Sequence, residues 1–222
     1  MSTYEIEIKS LLGSLEKAEE LKSKIVDKGA KLSGSNKQLN HYFNILDLSL
    51  FKDKVEPYVG DEKKENFEKI LSEGSKFSIR TRDANSKVIL VIKASIGSDT
   101  SANGVSRMEF ESEFKMSIDQ LDKLLLEAGL EYQAKWSRER EEYKLGDINI
   151  CLDKNAGYGY LAEFEKMSND QTSVGSIKKE LLEMMKEFGV EELQQDRLER
   201  MFEYYNSNWR DYYGTEKVFN IQ

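Results

Sequence analysis

The stretch that decides the fold is Tyr4-Glu5-Ile6-Glu7-Ile8-Lys9. Its polar and apolar residues alternate, which predicts a β-strand, because successive side chains of a strand point to opposite faces. One face carries Glu5, Glu7 and Lys9, and the other is apolar. Two carboxylates beside a lysine suit a hard divalent cation and an anionic group bridged to it. The same alternation is typical of a surface strand with one solvated face, so the rest of the chain must decide.

Length and composition predict a soluble globular protein. The chain has 222 residues, 33% of them charged and 39% hydrophobic, which allows one large domain with a real core. Its formal charge of −8 argues against a protein that coats nucleic acid. No apolar run approaches the roughly twenty residues that span a bilayer, and the N-terminus lacks a basic segment followed by a hydrophobic one. We therefore expect a cytoplasmic protein with no membrane or nucleic-acid partner.

The rare residue types exclude several kinds of site. Cys151 is the only cysteine, which rules out an internal disulfide and any cysteine-based zinc site. Its neighbours Ile150 and Leu152 favour a strand position with a packing role. His41 is the only histidine, and no activated nucleophile stands near it in sequence. We expect both residues to be structural.

Helical periodicity predicts helices in four regions. Ser14 to Gly29 and Ser117 to Gly129 each begin with a capping residue and end at a glycine. Residues 50–76 are rich in charge and read as an excursion with a short helix, either a mobile flap or a solvated insertion. From Val174 onward the pattern is helical again, and the aromatic ending Trp209 to Phe219 is expected to pack on the body of the protein.

Strands dominate the remainder, which predicts an α+β protein built on one antiparallel sheet that is either open or closed. Ile96 to Val105 is composed of loop-forming residues. The further predicted strands are Lys37–Leu46, Phe77–Arg82, Val88–Ala94, Arg107–Phe114, Tyr132–Leu145, Asp147–Asp153 and Tyr160–Lys166.

Charged residues recur at spacing two on these strands. If the sheet is flat, helices cover the apolar face and water bathes the charges. If it closes with the charges inward, the lumen contains an acidic and a basic cluster, which must pair, bind metal or bind an ionic ligand. The recurring charges are Arg80 and Arg82, then Arg107, Glu109, Glu111 and Glu113, then Arg138 and Arg140, and finally Asp153, Glu163 and Glu165, with Lys93 on an otherwise apolar strand.

These residues, in this order, resemble the CYTH family of triphosphate tunnel metalloenzymes. Glu5-Ile6-Glu7-Ile8-Lys9 is similar to the Glu-x-Glu-x-Lys opening of the family, which is short and would occur by chance if it stood alone. The ordered segments that follow make the resemblance specific over roughly residues 4–166. They are Gln38 to Phe43, Ser78-Ile79-Arg80-Thr81-Arg82, Val91-Ile92-Lys93, Arg107-Met108-Glu109-Phe110-Glu111, Arg138 to Tyr143 (with Arg138 where Lys is usual), and Ile150 to Asp153 followed by Gly157 to Glu165.

The resemblance implies a closed eight-stranded antiparallel β tunnel with helices outside, a triphosphate-containing small molecule as ligand, and Mg²⁺ or Mn²⁺ as cofactor. It implies a CYTH domain over residues 1–170, with a helical insertion at about 50–76, and a helical extension over 171–222 that packs on it, in a monomer or a homodimer. The implied substrate-binding residues are Lys9, Arg80, Arg82, Lys93, Arg107, Arg138 and Arg140. The implied metal ligands are Glu5, Glu7, Glu109, Glu111, Asp153, Glu163 and Glu165, and the implied catalytic residues are Glu5, Glu7, Lys9, Arg80 and Arg82.

Three functions remain open at this stage. The first is hydrolysis of inorganic tripolyphosphate, thiamine triphosphate or a nucleoside triphosphate, and we favour it because water needs no nucleoside pocket. The second is the class IV adenylyl cyclase reaction, in which ATP gives cyclic AMP and pyrophosphate. The third is a binding protein that retains the tunnel without turnover. Glu109 and Glu111 serve either as ligands of a second ion or as partners of the basic residues.

Overall fold

The computed structural model describes residues 4–95 and 107–221. The chain divides into two compact units. The terminal unit contains the described residues 4–37 and 137–221, and the central unit contains 38–95 and 107–136. The predicted loop Ile96 to Val105 lies outside the described residues.

Strands and helices follow one another in an α+β order. The strands are β1 (Tyr4–Leu11), β2 (Lys31–Ile45), β3 (Ser75–Ala84), β4 (Lys87–Ser95), β5 (Arg107–Glu113), β6 (Leu130–Leu145), β7 (Ile148–Asn155) and β8 (Gly159–Ser168). The helices are α1 (Leu15–Asp27), α2 (Leu48–Val55), α3 (Asp61–Glu73), α4 (Ile118–Glu127), α5 (Val174–Phe188) and α6 (Gln195–Asn208). Short 3₁₀ helices occupy Glu56–Tyr58, Gln171–Ser173 and Trp209–Asp211.

The strands form one eight-stranded antiparallel sheet in the order β1-β8-β7-β6-β2-β3-β4-β5. The predicted α+β class and the eight-stranded antiparallel sheet are therefore confirmed. Hairpins join β3 to β4 and β6 to β7, as the turn residues predict. Asn85 and Ser86 adopt positive φ angles of 52° and 66° in the first turn, and Gly146 adopts 63° in the second.

In the terminal unit, the apolar face of β1 is buried, as the alternation of its residues predicts. Ile6 and Ile8 are 3% exposed and lie in a core with side chains of β7, β8, α1 and α5. Ser14 caps α1, because its side chain accepts a hydrogen bond from the Lys17 N–H. Gly189 ends α5 in the left-handed conformation, at φ 76°. One face of β1, β7 and β8 thus packs in this core, and the charged side chains of these strands lie on the opposite face.

The aromatic C-terminal segment packs on the β7–β8 connection, also in the terminal unit. The Gly157 N–H donates to the Lys217 carbonyl at 2.8 Å, and the Phe219 N–H donates back to the Gly157 carbonyl at 2.8 Å. The Phe219 ring lies 5.2 Å from the ring of Tyr158. The prediction that this segment packs on the protein is therefore confirmed.

In the central unit, α2, α3 and α4 cover the apolar face of β3, β4 and β5. Phe51 of α2 and Phe67 of α3 are completely buried, with their rings 6.0 Å apart, and Phe67 also contacts Phe110 of β5. Residues 50–76 are therefore part of a core and not a flap or a solvated excursion. Although the segment is highly charged, each of its two helices has an apolar stripe, and that stripe packs on the core.

β2 is longer than predicted, because it starts at Lys31 and not at Lys37. Residues 31–36 contain small polar side chains and have no apolar alternation. Hydrogen bonds to β6 hold them instead: Ser33 donates to the Glu142 carbonyl at 3.1 Å, and the Asn36 amide donates to the Glu142 carboxylate at 3.3 Å.

None of the helices in the described ranges combines the length and the apolar character needed to cross a bilayer.

Candidate functional site

The terminal unit carries a cluster of paired charges, which we call the terminal cluster. Antiparallel register places Lys9 directly opposite Glu163, and both belong to the charged face. Lys9 Nζ lies 3.4 Å from Glu163 and also forms an ion pair with Glu7. The members of the terminal cluster are Glu7, Lys9, Arg138, Arg140, Asp153 and Glu163.

Asp153 is the acceptor at the centre of the terminal cluster. Its side chain is 1% exposed. Arg140 Nε donates to Oδ1 at 2.7 Å, whereas Arg140 Nη2 and Arg138 Nη1 donate to Oδ2 at 2.6 and 2.9 Å. This arrangement follows from register, since Arg140 lies directly opposite Asp153 on the neighbouring strand. Both carboxylate oxygens are thus already engaged by guanidinium groups.

Glu163 is the second anion of the terminal cluster. Arg140 donates to its Oε2, and Arg138 lies 3.9 Å from its Oε1. Burial alone raises the pKa of Glu163, but the charges of Arg140, Lys9 and Arg138 outweigh it and hold this pKa well below its ordinary value. The pKa of Arg140 is correspondingly raised, because Glu163 and Asp153 outweigh the cost of burial.

Glu7 and Glu165 form a like-charged pair on the same face. They lie directly opposite each other in the β1–β8 register, an arrangement that is destabilising unless a cation offsets it. Asn149 Nδ2 lies 3.5 Å from Glu165 Oε1. Glu5 lies two residues before Glu7, so it belongs to the same face of β1. Carboxylate oxygens on this face are the ligand type that Mg²⁺ and Mn²⁺ prefer.

The predicted metal ligands fit a divalent cation in chemistry but not yet in arrangement. Among residues 4–95 and 107–221, no three Asp, Glu, His or Cys side chains converge as they would around a bound ion. Asp153 is better suited to orienting Arg138 and Arg140 than to holding metal, since both of its oxygens accept from arginine. The cross-strand pair of Glu7 and Glu165 brings two carboxylates of the predicted ligand set together on one face, where Lys9 already pairs with Glu7.

The central unit carries the other predicted basic residues, on β3 and β4, together with the acidic residues of β5. Arg82 lies 3.4 Å from Glu111, and Lys93 lies 3.4 Å from Glu109. Lys93 is directly opposite Glu109 in the β4–β5 register. Glu109 and Glu111 therefore pair with basic residues, which is one of the two roles that the sequence left open.

Arg80 is different from these pairs. Its Nη1 donates to the Tyr42 hydroxyl at 2.6 Å, and its guanidinium carbon lies 5.5 Å from the centre of the Tyr42 ring. No carboxylate of the described residues lies within ion-pair distance of it, and its Nε is buried without a hydrogen-bond partner. Burial lowers the pKa of Arg80, yet the Tyr42 hydroxyl and the more distant Glu109 and Glu111 raise it overall. A half-buried cation without a counter-charge is suited to binding an anion.

The other face of the central unit holds a buried polar network. Asp122 of α4 is 2% exposed and accepts hydrogen bonds from His41 Nδ1 at 2.6 Å and from Thr81 Oγ1 at 2.7 Å. The Tyr132 hydroxyl donates to it at 2.7 Å, and Lys135 Nζ lies 3.5 Å away. His41 and Thr81 are directly opposite each other on β2 and β3, so Asp122 joins the two strands. The expected structural role of His41 is confirmed.

The structure thus distributes the predicted residues over two charged clusters. The pairing of Lys9, Arg138 and Arg140 with acidic residues, and of Arg82 and Lys93 with Glu111 and Glu109, is observed. The side chain of Arg107 lies outside the described part of the chain. Cys151 is buried, which raises its pKa to about 12 and fits the predicted packing role.

Sequence reasoning missed two residues that contact the predicted arginines, Tyr42 and Asn40. Tyr42 accepts from Arg80, and Asn40 Oδ1 accepts from Arg82 Nε at 3.1 Å. The available signal was the spacing of two that Gln38, Asn40 and Tyr42 share on β2. It was weak because neutral polar residues on a strand have many possible roles.

The fold and the two charged clusters define the class of this protein. It is an α+β protein with one antiparallel eight-stranded sheet, whose strands bear arginine and carboxylate side chains at spacing two. A family model for the CYTH domain matches residues 68–198, which is more than half of the chain. The chain therefore belongs to the CYTH family. Members of this family act on triphosphate substrates, as triphosphatases or adenylyl cyclases, and depend on a divalent metal. The matched range begins after β1, so the roles of Glu5, Glu7 and Lys9 depend on their own pattern and register.

Solved structures share the fold at low sequence identity. A candidate adenylate cyclase from Vibrio parahaemolyticus is 13% identical, with a TM-score of 0.62, and the match covers 91% of this chain and 99% of that one. A conserved hypothetical protein from Pyrococcus furiosus is 17% identical, with a TM-score of 0.61 and coverage of 84% and 91%. A protein from Pyrococcus horikoshii is 20% identical, with a TM-score of 0.61 and coverage of 86% and 96%. No curated protein sequence matches the chain.

Proposed function

We propose that this protein is a phosphohydrolase that depends on Mg²⁺ or Mn²⁺ and releases phosphate from a triphosphate-containing small molecule. The observation that carries the proposal is Arg80, a half-buried guanidinium with no carboxylate partner among the described residues. Leaving such a cation without an anion costs free energy, and a phosphate group is the anion that a guanidinium binds best. Membership of the CYTH family supports a triphosphate as the source of that phosphate.

The basic residues neutralise and orient the phosphates in this proposal. A triphosphate carries about four negative charges, and arginine meets phosphate oxygens through paired N–H donors, whereas lysine acts as a point charge. As charge develops on the phosphoryl oxygens during transfer, the same cations stabilise it. The proposed phosphate-binding residues are Lys9, Arg80, Arg82, Lys93, Arg107, Arg138 and Arg140.

The acidic residues divide into two roles. Glu5, Glu7 and Glu165 are the proposed holders of the divalent cation, because their carboxylates belong to one face and those of Glu7 and Glu165 oppose each other in the β1–β8 register. When bound, the cation supplies positive charge to the phosphate oxygens and lowers the pKa of water. Asp153 and Glu163 orient Arg138 and Arg140 through the contacts described above. Glu109 and Glu111 do the same for Lys93 and Arg82.

Cyclisation of ATP is the second candidate function, and the fold similarity to the candidate adenylate cyclase of V. parahaemolyticus favours it. The same cations would bind the triphosphate of ATP, and the ribose 3′-oxygen would attack the α-phosphorus while pyrophosphate leaves. Hydrolysis remains our proposal because water requires no separate nucleoside site.

The test is to incubate the full chain with Mg²⁺ or Mn²⁺ and, separately, tripolyphosphate, thiamine triphosphate and ATP. Orthophosphate, pyrophosphate and cyclic AMP are then assayed. We expect orthophosphate from at least one substrate, no activity in excess chelator, and at least a tenfold loss of kcat/KM in Arg80→Gln. Lys87→Gln, which removes an exposed charge at the start of β4, is the matched control and should be unchanged.

Each other result has a defined meaning. Cyclic AMP with pyrophosphate from ATP would replace hydrolysis by the cyclase reaction. Binding of the substrates without any product, with either metal, would identify a binding protein. Turnover that persists in excess chelator would contradict the metal dependence.

A further inference from the structure

We propose that Tyr42 and Asn40 of β2 are positioning residues that orient Arg80 and Arg82 toward a polyphosphate anion through neutral hydrogen-bond acceptors. This inference rests on the proposed function for the class of anion, and it adds how the arginines are held. Four residues of the central unit carry it, and all four belong to one face of neighbouring strands.

Register produces the arrangement. Tyr42 lies directly opposite Arg80, and Asn40 lies directly opposite Arg82, two residues further along both strands. Directly opposed residues of antiparallel strands point to the same face with their Cβ atoms about 5 Å apart. Each arginine therefore finds an acceptor on its neighbour: the Tyr42 hydroxyl at 2.6 Å from Arg80 Nη1, and Asn40 Oδ1 at 3.1 Å from Arg82 Nε. The two pairs repeat the same contact along the strands.

The acceptors are neutral, and their neutrality is what suits them to an anion site. A carboxylate partner would hold a guanidinium firmly but would also neutralise it and compete with phosphate. Arg140 of the terminal unit is held in that way, by Asp153 and Glu163. Arg80 has only Tyr42, so its full charge is retained. Arg82 is also paired with Glu111, at 3.4 Å, so its charge is partly offset, although the Glu111 side chain is 43% exposed.

Burial shows that the Asn40 amide has a defined orientation. Asn40 is 3% exposed and Gln38, two residues earlier on the same face, is 5% exposed. Asn40 Nδ2 lies 3.4 Å from Gln38 Oε1, so the amide nitrogen is directed to Gln38 and the amide oxygen to Arg82. A buried neutral amide that is hydrogen-bonded at both ends costs far less than a buried carboxylate. The strand thus provides an oriented acceptor with no charge.

Two substitutions separate this role from simple structural support. Tyr42→Phe removes the hydroxyl and keeps the ring that packs on Arg80 and on Trp136. Asn40→Asp replaces the neutral acceptor by a charged one of the same shape. A carboxylate accepts a stronger bond from Arg82, so a purely structural role predicts that Asn40→Asp binds polyphosphate as well as the parent protein does. The positioning role predicts weaker binding, because the arginine charge is neutralised.

The experiment is calorimetric titration of the full chain with inorganic tripolyphosphate in excess chelator, so that no metal or turnover is involved. We expect Tyr42→Phe to raise the Kd about tenfold, as for the loss of one hydrogen bond to a charged group. We expect Asn40→Asp to raise it at least tenfold and to lower the thermal midpoint, since the carboxylate is buried and cannot donate to Gln38 Oε1. The titrations are therefore made well below the midpoints of both proteins, where both are folded. Tyr58→Phe and Asn85→Asp, at exposed positions of the same unit, are the matched controls and should bind as the parent does.

The outcomes distinguish this inference from the proposed function. If the parent binds tripolyphosphate and both variants bind equally well, the positioning role is wrong and the proposed function is unaffected. If the parent binds and the variants lose affinity as expected, but no substrate is turned over with metal, the inference stands and the hydrolase does not. If the parent binds tripolyphosphate only when Mg²⁺ is added, the variants are compared under that condition. If it binds neither in excess chelator nor with Mg²⁺, the anion site itself is wrong and the inference is overturned with it.

Discussion

His41 Nδ1 lies 2.6 Å from Asp122 Oδ2, and both side chains are 2% exposed. Thr81, directly opposite His41 on the neighbouring strand, donates to the other oxygen of the same carboxylate. Asp122 therefore joins β2 and β3 between Tyr42–Arg80 and Asn40–Arg82. A single residue on α4 fixes the two strands at the position where their other face carries the arginine pair.

Asp122→Asn should destabilise the protein by about 3 kcal/mol, because an amide cannot accept from all the donors and directs its own N–H groups at them. Urea unfolding followed by circular dichroism measures the change in the free energy of unfolding. Glu127→Gln, at an exposed position on the same helix, is the control and should change it by less than about 0.5 kcal/mol. Equal effects of the two substitutions would contradict the role of Asp122.

The same carboxylate predicts an acid dependence of stability. Burial raises the pKa of Asp122, but hydrogen bonds from His41, Thr81 and Tyr132 outweigh it, so its pKa in the folded protein is below the ordinary value. The unfolded chain then binds more protons than the folded one between these two pKa values. The stabilisation is complete above the unfolded value, about 4, and is lost as the pH falls through the folded value.

The stability difference between the parent protein and Asp122→Asn should therefore narrow as the pH falls below about 4. Urea unfolding at a series of pH values from 7 to 3 measures it. Groups that do not contact Asp122 titrate alike in both proteins, so their acid effects cancel in the difference. A difference that stays constant over the whole range would exclude the ionised carboxylate as its source.

Asp153→Asn and Glu165→Gln should have opposite profiles. Asp153→Asn removes a buried acceptor of two arginines, so we expect a loss of about 3 kcal/mol in unfolding free energy, even in excess chelator.

Glu165→Gln relieves the like-charge contact with Glu7 and should leave the free energy of unfolding within about 1 kcal/mol of that of the parent protein. In that variant the concentration of Mg²⁺ needed for half-maximal activity should rise about tenfold. If Glu165→Gln is instead destabilised and its requirement for Mg²⁺ is unchanged, Glu165 is a structural residue and not a ligand of the metal.

Gly157→Ala should disrupt the packing of the C-terminal segment. Gly157 has φ +84°, and a Cβ there would lie 2.7 Å from the Tyr205 ring and 3.0 Å from the Phe219 ring. Strain and overpacking together should cost about 3 kcal/mol. Gly214→Ala is the matched control, because φ is +71° and nothing lies within 4 Å, so only about 1 kcal/mol of backbone strain is expected. Thermal unfolding of both variants measures the difference.

Several elements were predictable because their signals are local. The alternation of Ile6 and Ile8 with Glu5 and Glu7 identified β1, and the capping box of Ser117 and Gln120 identified the start of α4. The role of residues 50–76 was not predictable, because their apolar stripe is interrupted by many charges and becomes evident only when Phe67 contacts Phe110, far away in sequence. The first residues of β2 were missed because their contacts with β6, such as that of Ser33 with the Glu142 carbonyl, join segments that are far apart in sequence.

The sequence by itself determined which charged side chains share a face of each strand, because residues at spacing two point to the same side, and that follows from backbone geometry alone. Only the tertiary structure decided which charges pair. Strand register, a property of two distant segments, engages both oxygens of Asp153 with Arg138 and Arg140 but gives Arg80 the neutral hydroxyl of Tyr42. A carboxylate that the resemblance assigned to the metal is thus in contact with two arginines, and a tyrosine that carried no charge signal is in contact with Arg80, which has no carboxylate partner in the described structure.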